Sequence, residues 1–282
     1  MTALVTCTVS DGVAQVRLNR PEKLNGLTLD LLKELAQTAE SLKGDRSLRA
    51  VVLAGEGPSF SAGLDIKGVL VNGMGPLLRN LLPNPVDGTN VFQECVWAWR
   101  RLPVPVVAVV TGHCFGGGLQ IALGADFRYT TPDTQWSVLE ARWGLIPDMT
   151  GMRSLAEVMP IDLAKRLVMT GEIFDGTTAV EYGLASGVSE DPWAQANELV
   201  ATLVTRSPDA LAASKRLFAE TWGASPRRTF ARERAEQIRL LLASNTKALQ
   251  RASMAKTEAS FGLRGRGFRD IAAAQVGAWR SR

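Results

Sequence analysis

Histidine, cysteine and tyrosine are scarce in this 282-residue chain: it holds one, three and two of them. A single histidine, His113, rules out an imidazole-rich metal cluster. A serine triad is equally remote, because no Gly-x-Ser-x-Gly elbow occurs to partner that histidine. The cysteines (Cys7, Cys95 and Cys114) lie far apart with no Cys-x-x-Cys pair, which excludes a zinc or dithiol motif. No uninterrupted apolar run approaches the ~18–20 residues of a membrane helix. The first residues carry no signal-peptide apolar core, so a reduced, cytoplasmic protein without a membrane span is the expectation. Aromatic residues make up only 6% and do not interleave with the arginines, so no nucleic-acid partner is expected.

What is present is an ordinary globular composition, 46% apolar and 21% charged, with a net charge of +4. The positive charge gathers on Arg227, Arg228, Arg232, Arg234 and Arg239, and on a tail from Arg264 to Arg282. The simplest reading is a solvated helix face and a flexible end.

The chain begins by alternating strands and helices. Leu4–Val9 and Ala14–Leu18 read as strands joined by the Asp11-Gly12 turn. Thr28 is placed to cap a helix that buries Leu31, Leu32, Leu35 and Leu42 on one face. A short strand at Ala50–Ala54 follows, then a small-residue loop at Ser59–Asp65 leading into a helix near Ile66. Residues 72–90 scatter glycine and proline among Leu77, Leu78, Leu81 and Leu82, the pattern of an apolar wall beside a binding site. Asn90–Arg101 is helical and ends at Pro103. Beyond Pro160 helical spacing takes over, at Ile161–Thr170, Thr177–Tyr182, Trp193–Thr205, Pro208–Thr221 and Pro226–Leu242. An α/β fold with a helical C-terminal region is expected: a core over residues 1–190, helices over 191–258 and a basic, flexible tail over 259–282.

The most informative stretch is Thr111–Asp126, where the β-branched run Val104–Val110 turns through Gly116, Gly117 and Gly118 into an apolar helix. Consecutive glycines let backbone approach a ligand and aim N–H groups at it. A helix N-terminus behind them favours developing negative charge. No lysine or serine follows as in a phosphate-binding P-loop, and the spacing is not Gly-x-Gly-x-x-Gly. The turn suits an oxyanion, hence chemistry on a carbonyl.

Four stretches in order, Leu18–Asn25, Ser59–Asp65, Cys114–Gln120 with Gly124-Ala125-Asp126, and Glu140–Gly151, resemble the crotonase (enoyl-CoA hydratase/isomerase) superfamily. The resemblance implies a spiral of ββα units, C-terminal helices used in a homotrimer or dimer of trimers, and an acyl-CoA thioester substrate. Coenzyme A then enters as part of the substrate, with no other cofactor and no metal. It further implies that the N–H groups of Leu64 and Gly117 hold the thioester oxygen. The backbone of Ala62, Asp65 and Ile66 would border the adenine, with Lys23 and Lys67 near its phosphates.

Departures from the family pattern bear on the chemistry. Typical hydratases carry two glutamates; here Gln120 stands at the first position and Glu140 at the second. An amide cannot shuttle a proton at neutral pH, and losing one acid–base group typically costs ~10²–10⁴-fold in rate. Gln120 is therefore read either as contacting substrate or water, or as a buried amide bonded to backbone. Where hydratases show Ile-Pro-Gly-x-Gly, this chain reads Ile146-Pro147-Asp148-Met149-Thr150-Gly151. Glu140 and Asp148, eight residues apart, match the glutamate and aspartate of dienoyl-CoA isomerases in the family, although those relatives have aspartate where Gln120 stands. Asp148 either joins Glu140 in proton transfer or caps the helix starting near Thr150. The expectation is a double-bond isomerase, with a hydratase or a weakly catalytic acyl-CoA binder as the alternatives.

Overall fold

The computed structural model describes residues 3–65, 68 and 74–265. Asp11 and Gly12 both hold positive φ (51° and 75°), as a tight hairpin turn requires. They join β1 (Val5–Ser10) to β2 (Val13–Leu18) in an antiparallel pair. From β2 onward the sheet is parallel, through β3 (Ala50–Gly55), β4 (Val106–Val110), β6 (Phe127–Thr130) and β8 (Gly187–Val188). Its strand order is β1-β2-β3-β4-β6-β8. A second, two-stranded layer pairs β5 (His113–Phe115) with β7 (Gln135–Ser137). Single-residue bridges from Ser61 to Cys114 and from Trp136 to Phe174 widen it. Each turn of chain thus visits the large sheet, then the small layer, then a helix, which is the expected ββα spiral.

The strands sort their side chains by alternation. Val51, Leu53, Val106, Ala108 and Val110 face the main core. Ala50, Val52, Ala54, Val107 and Val109 face the opposite side. With both faces covered, β4 is apolar at every position. The main core is closed by α1 (Leu29–Lys43), whose first turn is capped by the Thr28 side chain accepting from Leu31 N at 3.2 Å. Leu31, Leu32, Leu35 and Leu42 are all buried on it. Beyond α2 (Met74–Asn80), α3 (Val91–Arg101) starts in a capping box between Asn90 and Gln93 and buries Trp99.

The glycine turn opens α4 (Gly117–Ala122), and α5 (Gly151–Val158), α6 (Ile161–Thr170) and α7 (Gly176–Glu181) follow. Just past residue 190, α8 (Pro192–Val204) lies on the second face of the large sheet through Ala196 and Val200. The remaining helices are α9 (Pro208–Thr221), α10 (Pro226–Leu242) and α11 (Ser244–Ala255). The sequence gives little sign of α11, which starts without proline or a side-chain cap.

Of the tail expected over 259–282, the structure describes residues 259–265: Arg264 N donates to Arg46 O at 3.0 Å, Arg46 Nε returns a bond to Arg264 O at 2.6 Å, and Gly262 N donates to Asn245 Oδ1 at 2.9 Å. In the leucine segment Leu77 and Leu81 border the cavity described below, whereas Leu78, within α2, and Leu82, past its end, are exposed. The helix expected to begin near Ile66 starts outside the described residues, as do residues 72–73 and 266–282. No helix among the described residues is long and apolar enough to cross a membrane.

Candidate active site

Two loops are laced together before any catalytic group enters. Asn25, buried at φ 53°, donates through Nδ2 to Glu56 O (2.9 Å) and Ser59 O (2.7 Å) and accepts from Arg20 N (2.8 Å). Ser61 then pairs with β5: its N–H donates to His113 O at 2.8 Å, and its carbonyl accepts from Phe115 N at 3.0 Å. Two residues on, Leu27 N donates to Gly63 O (2.8 Å) and Asp65 N donates to Leu27 O (2.9 Å). These bonds straddle Leu64, whose own amide has no acceptor among the described residues. On the facing loop Gly116 takes φ 50° and donates to Ser137 O at 2.9 Å. The Gly117 amide beside it is likewise without an acceptor among the described residues. Leu64 and Gly117 border one cavity of about 200 Å³. Two convergent unsatisfied N–H groups are what an oxyanion site needs.

Glu140 lies in a one-turn helix, Leu139–Trp143, is only 9% exposed and lines the same cavity. Burial pushes its carboxyl above the usual range, and the neighbouring charge of Asp148 adds to that rise. Its own backbone amide and the Gln120 side chain pull the other way. Asp148 also lines the cavity, and burial raises its carboxyl too, against a bond from its own amide. It does not cap α5. The cap position is Thr150, held at φ 68°, with no side-chain capping bond.

Gln120 is almost fully buried and is not among the residues that line the cavity. Its Nε2 donates to Glu140 Oε1 at 2.6 Å, and its Oε1 accepts from Met149 N (2.8 Å) and Gly151 N (3.0 Å). The other Glu140 oxygen, Oε2, is buried with no hydrogen-bond partner among the described residues. His113 is engaged by side chains: Nδ1 meets Ser59 Oγ at 2.8 Å, with Phe115 edge-on.

Residues expected at the coenzyme A portion are mixed in their placement. Ala62 lines the cavity, and its amide is used by Leu24 O at 2.9 Å. The Asp65 carboxylate pairs with Arg20 at 3.4 Å and accepts from Gly68 N at 3.0 Å. Lys23 is exposed at the end of the one-turn helix Pro21–Lys23, while Ile66 and Lys67 lie outside the described residues. No group of three or more histidine, cysteine, aspartate or glutamate side chains among the described residues could hold a metal ion.

Sequence reasoning missed most of the apolar wall. Trp143, Leu145 and Ile146 line the cavity while 60%, 53% and 69% exposed, and Phe92 faces them from α3. A cluster of large exposed apolar groups at a pocket mouth marks a surface that meets a ligand. The sequence signal for three of them was Trp143 and Leu145-Ile146 within six residues of Glu140. A larger cavity of about 380 Å³ shares no lining residue with this one. Of the charges lining it, Lys215 pairs with Asp126 at 2.7 Å and Arg100 with Glu157, while Arg128 donates to the carbonyls of Leu184 and Ala125. The smaller cavity brings the Leu64 and Gly117 amides together with a carboxylate, Glu140, whose Oε2 has no hydrogen-bond partner among the described residues.

Comparison with known proteins agrees with this geometry. Residues 8–256 match the sequence model of the enoyl-CoA hydratase/isomerase family. The hydroxycinnamoyl-CoA hydratase-lyase of Pseudomonas fluorescens is 30% identical over 224 residues, 74% of this chain and 76% of the relative. The mitochondrial Delta(3,5)-Delta(2,4)-dienoyl-CoA isomerase of Mus musculus is 30% identical over 217 residues, 72% of this chain and 64% of the relative. Among solved structures, an enoyl-CoA hydratase of Mycobacterium smegmatis superposes with a TM-score of 0.83 at 25% identity, covering 91% of this chain and 98% of that one. With the family's sequence pattern running through nearly the whole chain and its fold reproduced around the Leu64–Gly117 cavity, this protein belongs to the enoyl-CoA hydratase/isomerase family of the crotonase superfamily.

Proposed function

We propose that the chain moves a carbon–carbon double bond along an acyl-CoA thioester. Glu140 Oε2 removes a proton from the acyl chain, and the electrons pass to the thioester oxygen as an enolate held by the Leu64 and Gly117 amides. The enolate then collapses as a proton returns to a different carbon, from Glu140 or from Asp148. One proton leaves and one returns, so mass is unchanged. Each oxyanion donor contributes roughly 3 kcal/mol to the transition state by comparison with other enzymes. The observation that carries this reading is the placement of the acids. Glu140 and Asp148 share the cavity with the two free amides, while the Gln120 side chain is committed to Glu140 Oε1 and to the Met149 and Gly151 amides. Hydration by a two-glutamate route lacks its second acid at that position.

The substrate's coenzyme A portion is assigned, by the family resemblance, to Lys23, Ala62, Asp65, Ile66 and Lys67, and the acyl group to the apolar wall. A homotrimer or dimer of trimers accounts for the bare apolar side chains Phe230, Ile238, Leu241 and Leu242 on α10.

Incubation with trans-2-, trans-3- and 3,5-dienoyl-CoA thioesters tests the reaction. A shifted absorbance at unchanged mass supports isomerisation. A gain of one water identifies a hydratase, as the name of the Pseudomonas relative suggests. No turnover, with an acyl-CoA still raising the melting temperature, identifies a binding protein.

A further inference from the structure

One buried amide holds the supports of both acids. Gln120 Oε1 lies 2.8 Å from Met149 N and 3.0 Å from Gly151 N. Two backbone N–H groups meeting there fix that end of the amide as oxygen, since a reversed amide would set donor against donor. Nε2 must then point at Glu140, which it meets at 2.6 Å through Oε1. An amide N–H only donates, so Oε1 has to accept. The carbonyl oxygen of a protonated carboxyl accepts better than its hydroxyl oxygen, so a proton carried by Glu140 belongs on Oε2. That is the oxygen left buried and without a partner among the described residues. A buried, unsatisfied carboxyl oxygen beside a cavity calls for a functional explanation.

The same amide fixes the chain on either side of Thr150, directly after Asp148. Gly151 is packed so closely that a Cβ there would lie 2.6 Å from Gln120 Oε1. The position of the second acid is thereby tied to the position of the first.

We propose that Gln120 is the positioning residue of this site, holding Glu140 so that Oε2 alone exchanges protons with the substrate and fixing the Asp148 segment through the same amide. The assignment rests on the proton-transfer reading above. In place of an acid, residue 120 supplies a hydrogen-bond donor and a double acceptor.

Burial raises the Glu140 carboxyl, its own amide and the Gln120 N–H oppose the rise, and Asp148 is the charged group among the described residues that adds to it. Two variants separate positioning from mere packing. Gln120→Met keeps the length and removes the donor and acceptor. Its acid limb in the pH profile of kcat is expected to move upward by about one unit, since a hydrogen bond to the charged form is lost. Its kcat is expected to fall about 100-fold, with KM little changed, because misplacement of a reacting group by about an ångström costs that much. Gln120→Glu can still accept from Met149 and Gly151, so the loop is kept. Its carboxylate meets Glu140 at hydrogen-bonding distance, and the two are expected to share one proton and titrate in two separated steps.

A ¹³C titration of the glutamate side chains in the ligand-free protein, with the Glu140 signal assigned by its loss in Glu140→Gln, reads the effect without turnover. An upward-shifted Glu140 midpoint in Gln120→Met, or two-step titration in Gln120→Glu, supports the assignment. An unchanged Glu140 midpoint in folded variants overturns it, as does unchanged kcat with an unchanged pH profile. If Gln120→Met does not fold, Gln120→Glu carries the test. If the parent protein converts none of the enoyl-CoA thioesters, the proposed reaction fails, while the titration still decides the role of Gln120.

Discussion

Gly118→Ala should cost this protein far more activity than stability. A Cβ at residue 118 would lie 2.7 Å from Ser61 Cβ and 2.8 Å from Ser61 O. Ordinary contact begins at 3.4 Å, so the two chains must part by 0.7 Å at the Ser61 side chain. Ser61 cannot swing aside. Its N–H and carbonyl pair with β5, its hydroxyl donates to Asn25 O at 2.8 Å, and it accepts from Gly63 N at 3.2 Å. The loop bearing Leu64 therefore has to move away from the loop bearing Gly117.

Overpacking of this kind costs about 1–3 kcal/mol. Alanine recovers about 1 kcal/mol over glycine inside a helix, and Gly118 lies within α4. The net loss of stability is then about 0–2 kcal/mol. Spreading two oxyanion donors by most of an ångström lowers kcat about 100-fold, or nearly 3 kcal/mol in the transition state. Steady-state kinetics on the thioester that the parent protein converts, with urea unfolding alongside, measure both. Gly44→Ala is the control, because a Cβ there meets only Ser41 O at 3.8 Å. A Gly118→Ala protein whose kcat stays within about threefold of the parent's would refute the coupling of the two loops.

Glu140→Gln should reduce turnover by ~10²–10⁴-fold, as expected for loss of a general acid–base group; full activity would remove Glu140 from the mechanism. Burial raises the Glu140 carboxyl, so the folded chain binds that proton more tightly than the unfolded chain. The Glu140 contribution to stability is then fullest below the ordinary carboxyl pKa and is lost as pH rises toward the raised value. Glu140→Gln should accordingly help thermal stability more at about pH 7 than at about pH 4, and the reverse order in melting scans would contradict this. Lys215 binds Asp126 at 2.7 Å and the carbonyls of Trp99 and Val104 at 3.0 and 2.9 Å. Lys215→Met should cost about 3 kcal/mol in urea unfolding, at the low end for a broken buried pair because Asp126 remains partly hydrated; an unchanged midpoint would show that α9 is held by packing alone. Sedimentation equilibrium should give the mass of a trimer or hexamer, and a monomer would leave the apolar face of α10 unexplained.

Local signals were legible wherever local chemistry decides the outcome. Asp11-Gly12 reads as a hairpin turn and Thr28 as a cap because each acts on neighbours within three residues. Val104–Val110 reads as a buried strand because both its faces are covered. The Gly116–Gly118 turn was legible as a place where backbone can approach a ligand, whereas the Leu64 amide entered only through the family resemblance, because an N–H group leaves no side-chain signature. Asp148 was not resolved by sequence, since an aspartate shortly before a helix has the pattern of a cap. The chain turns through Thr150 at φ 68° instead, and this geometry places Asp148 at the cavity. The partners of Gln120 were hidden for another reason. Glu140 is 20 residues away and Gly151 is 31, and only the tertiary fold brings them to one amide.

Those partners change what the missing glutamate means. A carboxyl at residue 120 would stand against Glu140 at the 2.6 Å now spanned by an N–H bond, with Asp148 already adding to the repulsion. Three acids so close in a buried site cannot all ionise, and at least one would hold its proton at neutral pH. The amide removes that competition and partly offsets the upward push of burial on Glu140. A general base works best when its pKa lies near the operating pH, and a carboxyl raised by burial yet restrained by one N–H donor moves toward that range. For the double-bond shift proposed above, Gln120 leaves Glu140 free of that competition, as carrying a single proton back and forth requires.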